Sequence, residues 1–397
     1  MAVTELAKDV YWVGAIDWDV RSFHGYSTDR GTTYNAYLII DEKVTLVDCV
    51  KEPFFDEQVA RISEIIDPAK IDYLIVNHVE MDHSGALPKM MELIKPEKLF
   101  CSPMGQKAII DHFHREDWPF EVVKTGGELL LGKRAVQFLE TRMLHWPDSM
   151  FTYLKDEKIL FSSDAFGEHY ASSVRFDDQV NLPVVMEHCA KYYANILYPY
   201  SQLVRILLKT VADLKLDIRI IAPDHGIIWR DQPKTIIDAY DAWSSGKCAD
   251  KAVVIFNTMW HSTEKMAEAV MKGLEDTGVR AERLNLDACH RSDVMTEILG
   301  AKGVVLGSST INSGLLPEMA SFVLYMKGLK PFDKIGAAFG SFGWSGEGVG
   351  ILTQIMTNLH FAMVDDPTVS HKYVPSQQAL DQCLALGKRV GEAIKNH

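Results

Sequence analysis

Six consecutive residues, His78-Val79-Glu80-Met81-Asp82-His83, place two imidazoles and two carboxylates directly after the apolar run from Ile71 to Val76. A strand that stops there delivers its polar residues to its carboxyl end, where open α/β folds gather their chemistry. Nitrogen and oxygen donors together point to a metal. Three more polar residues stand just past apolar runs: His145 beyond Phe138-Leu139-Glu140, Asp164 after Ile159-Leu160-Phe161, and His225 after Ile220-Ile221-Ala222-Pro223-Asp224. Four imidazoles and three carboxylates are too many for one tetrahedral ion and suit two five- or six-coordinate ions. Asp164, placed between the ions, would bridge them, and the other six would divide three and three. Three carboxylates and one hydroxide would balance two divalent ions, so such a site could change oxidation state without an extreme electrostatic penalty.

A second chemistry follows the apolar run Val253-Val254-Ile255-Phe256, where Asn257-Thr258-Met259-Trp260-His261-Ser262-Thr263-Glu264-Lys265 opens a helix. Amides at a helix start, with the hydroxyls of Thr258, Ser262 and Thr263, form a cradle for a phosphate dianion. The loop has no arginine and lacks the Gly-Lys-Ser/Thr signature of triphosphate sites. Flavin monophosphate (FMN) fits this loop better. Two further loops, Ser308-Ser309-Thr310-Ile311-Asn312-Ser313-Gly314 and Gly340-Ser341-Phe342-Gly343-Trp344-Ser345-Gly346, fall where a doubly wound domain would contact the flavin ring. Their glycines let backbone amides approach the ring, and Trp344 can stack on it.

These residues need elements to hold them. From Val10 to about Ile228 the chain reads as many short strands, several in hairpin-like pairs, with a long helical stretch over Leu182 to Leu214 and a closing helix over Thr235 to Trp243. That is a strand-rich α/β or α+β pattern. Beyond Ser244-Ser245-Gly246-Lys247 the pattern becomes strict alternation of strand and helix, five of each in about 145 residues, the size of a doubly wound, flavodoxin-like domain. The boundary is expected near Cys248, giving domains 1–248 and 249–397.

Composition narrows the partners. The chain has 397 residues, 47% of them hydrophobic, and a net charge of -13, so no positive footprint exists for a nucleic acid or an anionic membrane. Glu5, Lys8 and Asp9 interrupt the N-terminus where a secretory segment would be apolar, and no run approaches a membrane span. A cytoplasmic protein is expected. The cysteines Cys49, Cys101, Cys189, Cys248, Cys289 and Cys383 are scattered singly, so no thiolate-bound iron or zinc is expected in this chain.

The pattern H-x-[HE]-x-D-H at a strand end, followed by a distant His, an Asp and a final His, resembles the metallo-β-lactamase superfamily, whose fold is an αββα sandwich. Most hydrolytic members have a second histidine where this chain has Glu80. A hard carboxylate there moves the preference from zinc toward iron or manganese. With the flavin loops, the chain resembles the flavodiiron proteins over essentially its whole length, from Tyr11-Trp12-Val13-Gly14 through Gly31-Thr32-Thr33-Tyr34-Asn35-Ala36-Tyr37 to the last helix.

The resemblance implies that His78, Glu80 and His145 hold one iron, that Asp82, His83 and His225 hold the other, and that Asp164 bridges. His83, adjacent to Asp82, either ligates or orients another ligand. His24 and Tyr193 are implied to approach the iron pocket. The implied activity is reduction of dioxygen to water or of nitric oxide to nitrous oxide, with electrons passing through FMN from a separate rubredoxin, a reductase or a reduced deazaflavin coenzyme. A head-to-tail homodimer is implied as well, with a dimer of dimers as the next assembly. The rival reading is a binuclear metal-dependent hydrolase carrying a regulatory flavodoxin-like module.

Overall fold

The computed structural model describes residues 3–397, which divide into two compact units. The first ends at Asp241. The second comprises Ala242–His397 together with the short segments Gly25–Ser27 and Tyr193–Ser201. The change of unit lies ahead of Cys248 and falls within the helix Pro233–Ser244.

In the first unit a seven-stranded sheet runs in the order Thr4–Ala7, Val10–Trp12, Tyr37–Ile39, Thr45–Val47, Tyr73–Val76, Lys98–Cys101, Phe120–Val122. A five-stranded sheet follows the order Glu128–Leu130, Ala135–Glu140, Met150–Leu154, Ile159–Phe161, Ile220–Ala222. Alternation along each strand assigns its faces. Tyr37, Ile39, Val47 and Ile75 of the first sheet pack with Phe138, Met150, Phe161 and Ile220 of the second. Their neighbours Leu38, Leu46 and Leu74 turn to the other face, against Ile62, Leu87, Met90 and Ile109 of the helices. Sheets buried on both faces explain why these strands read as apolar runs.

The helical stretch expected over Leu182 to Leu214 is broken into Leu182–Tyr192, a π-helical segment Tyr193–Leu197, a 3-10 turn Tyr198–Tyr200, and Ser201–Asp213. Pro199 accounts for the break, because it has no N–H to donate and its ring crowds the preceding turn.

The second unit is a five-strand parallel sheet ordered Arg280–Asn285, Ala249–Asn257, Ala301–Ile311, Ile335–Phe342, Ala362–Lys372, with the short Gly314–Leu315 paired antiparallel to the third. This is the 2-1-3-4-5 order of a flavodoxin-like fold. Ser262–Asp276 and Gln377–Asn396 pack over one face, on Val254, Phe256, Val305 and Ala337. Their approach is close: a Cβ on Gly273 would lie 2.0 Å from the carbonyl oxygen of Leu384, and one on Gly387 would lie 2.1 Å from that of Val270. The last strand carries Asp365, Asp366 and Pro367, and its pairing shifts register between Gly336 and Ala338 of the neighbouring strand. No helix among the described residues is long and apolar enough to cross a membrane.

Candidate diiron and flavin sites

Tyr73–Val76 ends one residue before Asn77, whose amides both bond to Asp48: the backbone N at 2.7 Å and the side-chain Nδ2 at 2.9 Å. That clamp fixes the exit of the strand, and His78 follows with its ring fully buried. Met81–Ser84 then forms a single helical turn with Glu80 at its start. The turn supplies the bend that neighbouring ligands require, and it brings both Asp82 and His83 onto one position. Asp164 follows Ile159–Phe161, His225 follows Ile220–Ala222, and His145 lies in the connection between Ala135–Glu140 and Met150–Leu154.

Two groups of donor atoms result. His78, Glu80, His145 and Asp164 each offer a ligand atom within 4.8 Å of the others, and so do Asp82, His83 and His225. In the first group Asp164 Oδ2 lies 2.9 Å from His145 Nε2 and 3.3 Å from His78 Nε2. In the second its other oxygen, Oδ1, lies 3.2 Å from His83 Nε2 and 3.6 Å from His225 Nε2. One carboxylate thus reaches into both groups with one oxygen each. Asp82 Oδ2 stands 3.1 Å from both His83 Nε2 and His225 Nε2.

Outer partners aim these rings. His78 Nδ1 donates to Asp148 Oδ2 at 2.9 Å, and the backbone N of Val79 donates to the same oxygen at 2.8 Å. His225 Nδ1 donates to the carbonyl oxygen of Thr33 at 2.6 Å. Carboxylate and carbonyl oxygens accept only, so both rings carry their proton on Nδ1 and turn a lone pair on Nε2 inward. His83 Nε2 and His225 Nε2 then face each other at 3.2 Å. Converging lone pairs and carboxylate oxygens in a buried space need a cation between them, and this mixed donor set fits two iron ions.

The same groups also perturb one another strongly. Burial alone would raise Asp164, but the His83 charge and hydrogen bonds from His145 and His78 hold it well below the carboxylate range. Burial would likewise lower His83, and the charges of Asp82 and Asp164 hold it well above the usual imidazole value.

His24 lies at the rim with its side chain 37% exposed, and its Nε2 bonds to Glu80 Oε1. Tyr193 instead bonds through its hydroxyl to Ser201 Oγ at 2.9 Å and packs with its ring centroid 5.2 Å from Trp243. The tyrosine beside the ligands is its neighbour Tyr192, whose ring centroid is 6.2 Å from His225 and 5.2 Å from His169. On a helix, adjacent residues point about 100° apart, so one position decides which ring faces inward. His169 itself was not singled out in the sequence. It is buried, its ring centroid lies 4.6 Å from His225, and its Nδ1 is 2.8 Å from Thr32 Oγ1. Burial, reinforced by the neighbouring His225, holds it well below the usual imidazole range.

In the second unit a cavity of about 560 Å³ opens at the carboxyl ends of the strands. All three expected loops line it: Met259, Trp260 and Ser262 from the first, Ser309, Thr310, Ile311 and Asn312 from the second, and Ser341, Phe342, Gly343 and Trp344 from the third. Tyr373, not anticipated, completes the wall. Thr258, His261, Ser345 and Gly346 belong to the same loops without lining the cavity. Thr263 is fully buried and ties the loops together, its Oγ1 lying 2.9 Å from Ser309 Oγ and 3.0 Å from Ser341 Oγ.

Three observations fit FMN here. The helix Ser262–Asp276 starts at the cavity, its first residue Ser262 brings a hydroxyl to the wall, and Trp344 stands 88% exposed at the rim. Amides and a hydroxyl suit a phosphate, and an exposed indole suits a flat ring.

Comparison with known proteins agrees with this pairing of sites. Residues 32–226 match the model of the ODP family beta lactamases, and residues 254–387 match that of flavodoxins. A nitric oxide reductase of Moorella thermoacetica is 46% identical, with 98% of each chain covered. A rubredoxin-oxygen oxidoreductase of Megalodesulfovibrio gigas is 45% identical over 100% of this chain and 99% of that one. Among solved structures, the flavodiiron protein of Giardia intestinalis superposes with a TM-score of 0.96 at 34% identity, covering 100% of this chain and 97% of that one. A metallo-β-lactamase-like unit joined to a flavodoxin-like unit defines the class. The chain belongs to the flavodiiron family and is an oxidoreductase.

Proposed function

We propose that this protein reduces dioxygen to water, nitric oxide to nitrous oxide, or both, at a diiron site in the first unit, with electrons entering through FMN from a separate donor. The observation that carries the reading is Asp164, whose two oxygens face two separate groups of nitrogen and oxygen donors. His78, Glu80 and His145 would hold one iron, and Asp82, His83 and His225 the other. Bound there, two irons supply the electron storage and gas binding that no side chain offers, and FMN supplies electrons one or two at a time.

The chain's own residues supply the rest. Asp148 and the Thr33 carbonyl hold His78 and His225 in the tautomers that ligate. Burial of the ligands keeps bulk water away from the site. His24 holds a proton on Nε2 against Glu80 at the one rim position where an imidazole is partly exposed among those near the ligands. Burial would lower its pKa, but the hydrogen bond and charge of Glu80 raise it, so the ring is suited to give a proton to reduced oxygen. The names of relatives support a rubredoxin as electron donor, with a reductase or a deazaflavin coenzyme as alternatives, and a head-to-tail homodimer completes the reading.

The test is anaerobic stopped-flow of the reduced, FMN- and iron-loaded protein against each gas, with Asp164→Asn alongside. The parent is expected to reoxidise rapidly with at least one gas, and the variant to keep its flavin but lose turnover by a factor of about 100 or more. Equal turnover in the variant would refute the site. Two zincs per chain with esterase or nuclease activity would favour the hydrolase reading instead.

A further inference from the structure

His78 and His225 hand their outward nitrogens to Asp148 and to the Thr33 carbonyl; His83 is different. Its Nε2 faces Asp82 and Asp164, its ring is fully buried, and its Nδ1 has no hydrogen-bond partner among the described residues. Asp224 is also fully buried, and neither of its carboxylate oxygens has a partner. One of these oxygens lies within 4.8 Å of a His83 ring nitrogen and of an Asp164 oxygen. Asp48, a buried carboxylate nearby, already accepts one hydrogen bond from Asn77 on each oxygen, whereas Asp224 accepts none among the described residues. An imidazole that binds metal through one nitrogen donates from the other to a carboxylate, a carbonyl or a water. Two hydrogen bonds end to end through one water span about 4 to 5 Å.

We infer that Asp224, through one ordered water, accepts the Nδ1 proton of His83 and thereby makes His83 a ligand of the second ion. Asp224 is a positioning residue: it acts through His83 and touches neither the gas nor the metal. The inference rests on the two-metal reading of the seven ligands. It also answers the question left by the sequence, whether His83 ligates or merely supports.

The experiment uses the full-length, FMN-loaded chain. Iron retention against a chelator is measured for the parent, Asp224→Ala, Asp224→Asn, His83→Ala and the double variant Asp224→Ala/His83→Ala, with flavin content as the folding control. Asp224→Ala is expected to hold the second ion about tenfold or more less tightly. Asp224→Asn, which keeps an acceptor oxygen of the same size, is expected to stay with the parent, and the double variant to be no worse than His83→Ala alone. Additive losses in the double variant, or parent-like retention in Asp224→Ala, would overturn the inference. Should Asp224→Ala fail to fold, nitrogen-15 spectra of the zinc-loaded parent decide: His83 protonated at Nδ1 supports it, and His83 bound or unprotonated at Nδ1 overturns it. A parent that takes up no second ion would overturn the two-metal reading as well, so the two failures are told apart.

Discussion

On the diiron reading, Glu80 is the residue that sets this site apart from a zinc hydrolase. Its Oε2 lies 3.4 Å from both His78 Nε2 and His145 Nε2, so it completes the first donor group with a hard oxygen where a softer nitrogen would stand. Glu80→His is therefore expected to shift the metal bound after loading from an equimolar mixture of iron and zinc toward zinc, which elemental analysis reads directly. Glu168 shows a different use of a buried acid. Burial pushes its carboxyl well above its ordinary value of 4.5, while one oxygen accepts from the backbone N of Ile227 at 2.9 Å. The folded chain keeps a proton that the unfolded chain releases, so this contribution is full below the unfolded value and fades as pH rises above it. Melting curves should show the parent losing stability relative to Glu168→Gln as the pH is raised above the ordinary carboxyl value of 4.5. Parallel curves would show that Glu168 ionises without cost.

Elements explain which parts of the site the sequence could disclose. His78, Asp164 and His225 were legible because each follows an apolar strand, and strand ends are recognisable from local pattern alone. Asp148, Thr33 and His169 were not, since their roles come from rings that lie between 56 and 192 residues away along the chain. Tyr192 and Tyr193 were indistinguishable for another reason: they meet where the α-helix passes into the π segment, and the phase at such a junction cannot be read from composition. The flavin loops were legible as loops, but the inward bonds of the Thr263 hydroxyl to Ser309 and Ser341 were not, because they join loops far apart in the chain. At this scale the crossing of Ser262–Asp276 with Gln377–Asn396 carries a prediction. A methyl on Gly387 would meet the Val270 carbonyl, and overpacking of this kind costs about 1–3 kcal/mol. Gly387→Ala should lower the melting temperature of the flavin-loaded protein, by about 2–4 °C for each kcal/mol lost, and weaken FMN binding because the displaced helix begins at the cavity. Unchanged melting and affinity would mean that the two helices separate freely.

For the whole molecule the proposed dimer has a direct test. Asp164→Asn chains keep a flavin site and lack the bridging carboxylate, while chains with Trp344→Ala and Thr258→Ala keep the metal ligands and have a weakened flavin site. If electrons pass between subunits, mixing and reassembling the two dead variants is expected to restore up to about a quarter of parental turnover, as only one of the two relays in a mixed dimer is intact. No recovery in verified mixed dimers would place the relay within one chain. The chain order of the ligands has a consequence for biosynthesis. They run from His78 to His225, and the strand Ile220–Ala222 that carries the last of them pairs beside Ile159–Phe161. During translation the ribosome must release more than half of the polypeptide before the second group has all its donors. On the two-metal reading, the second ion would therefore enter only after the chain has left the ribosome at least as far as His225.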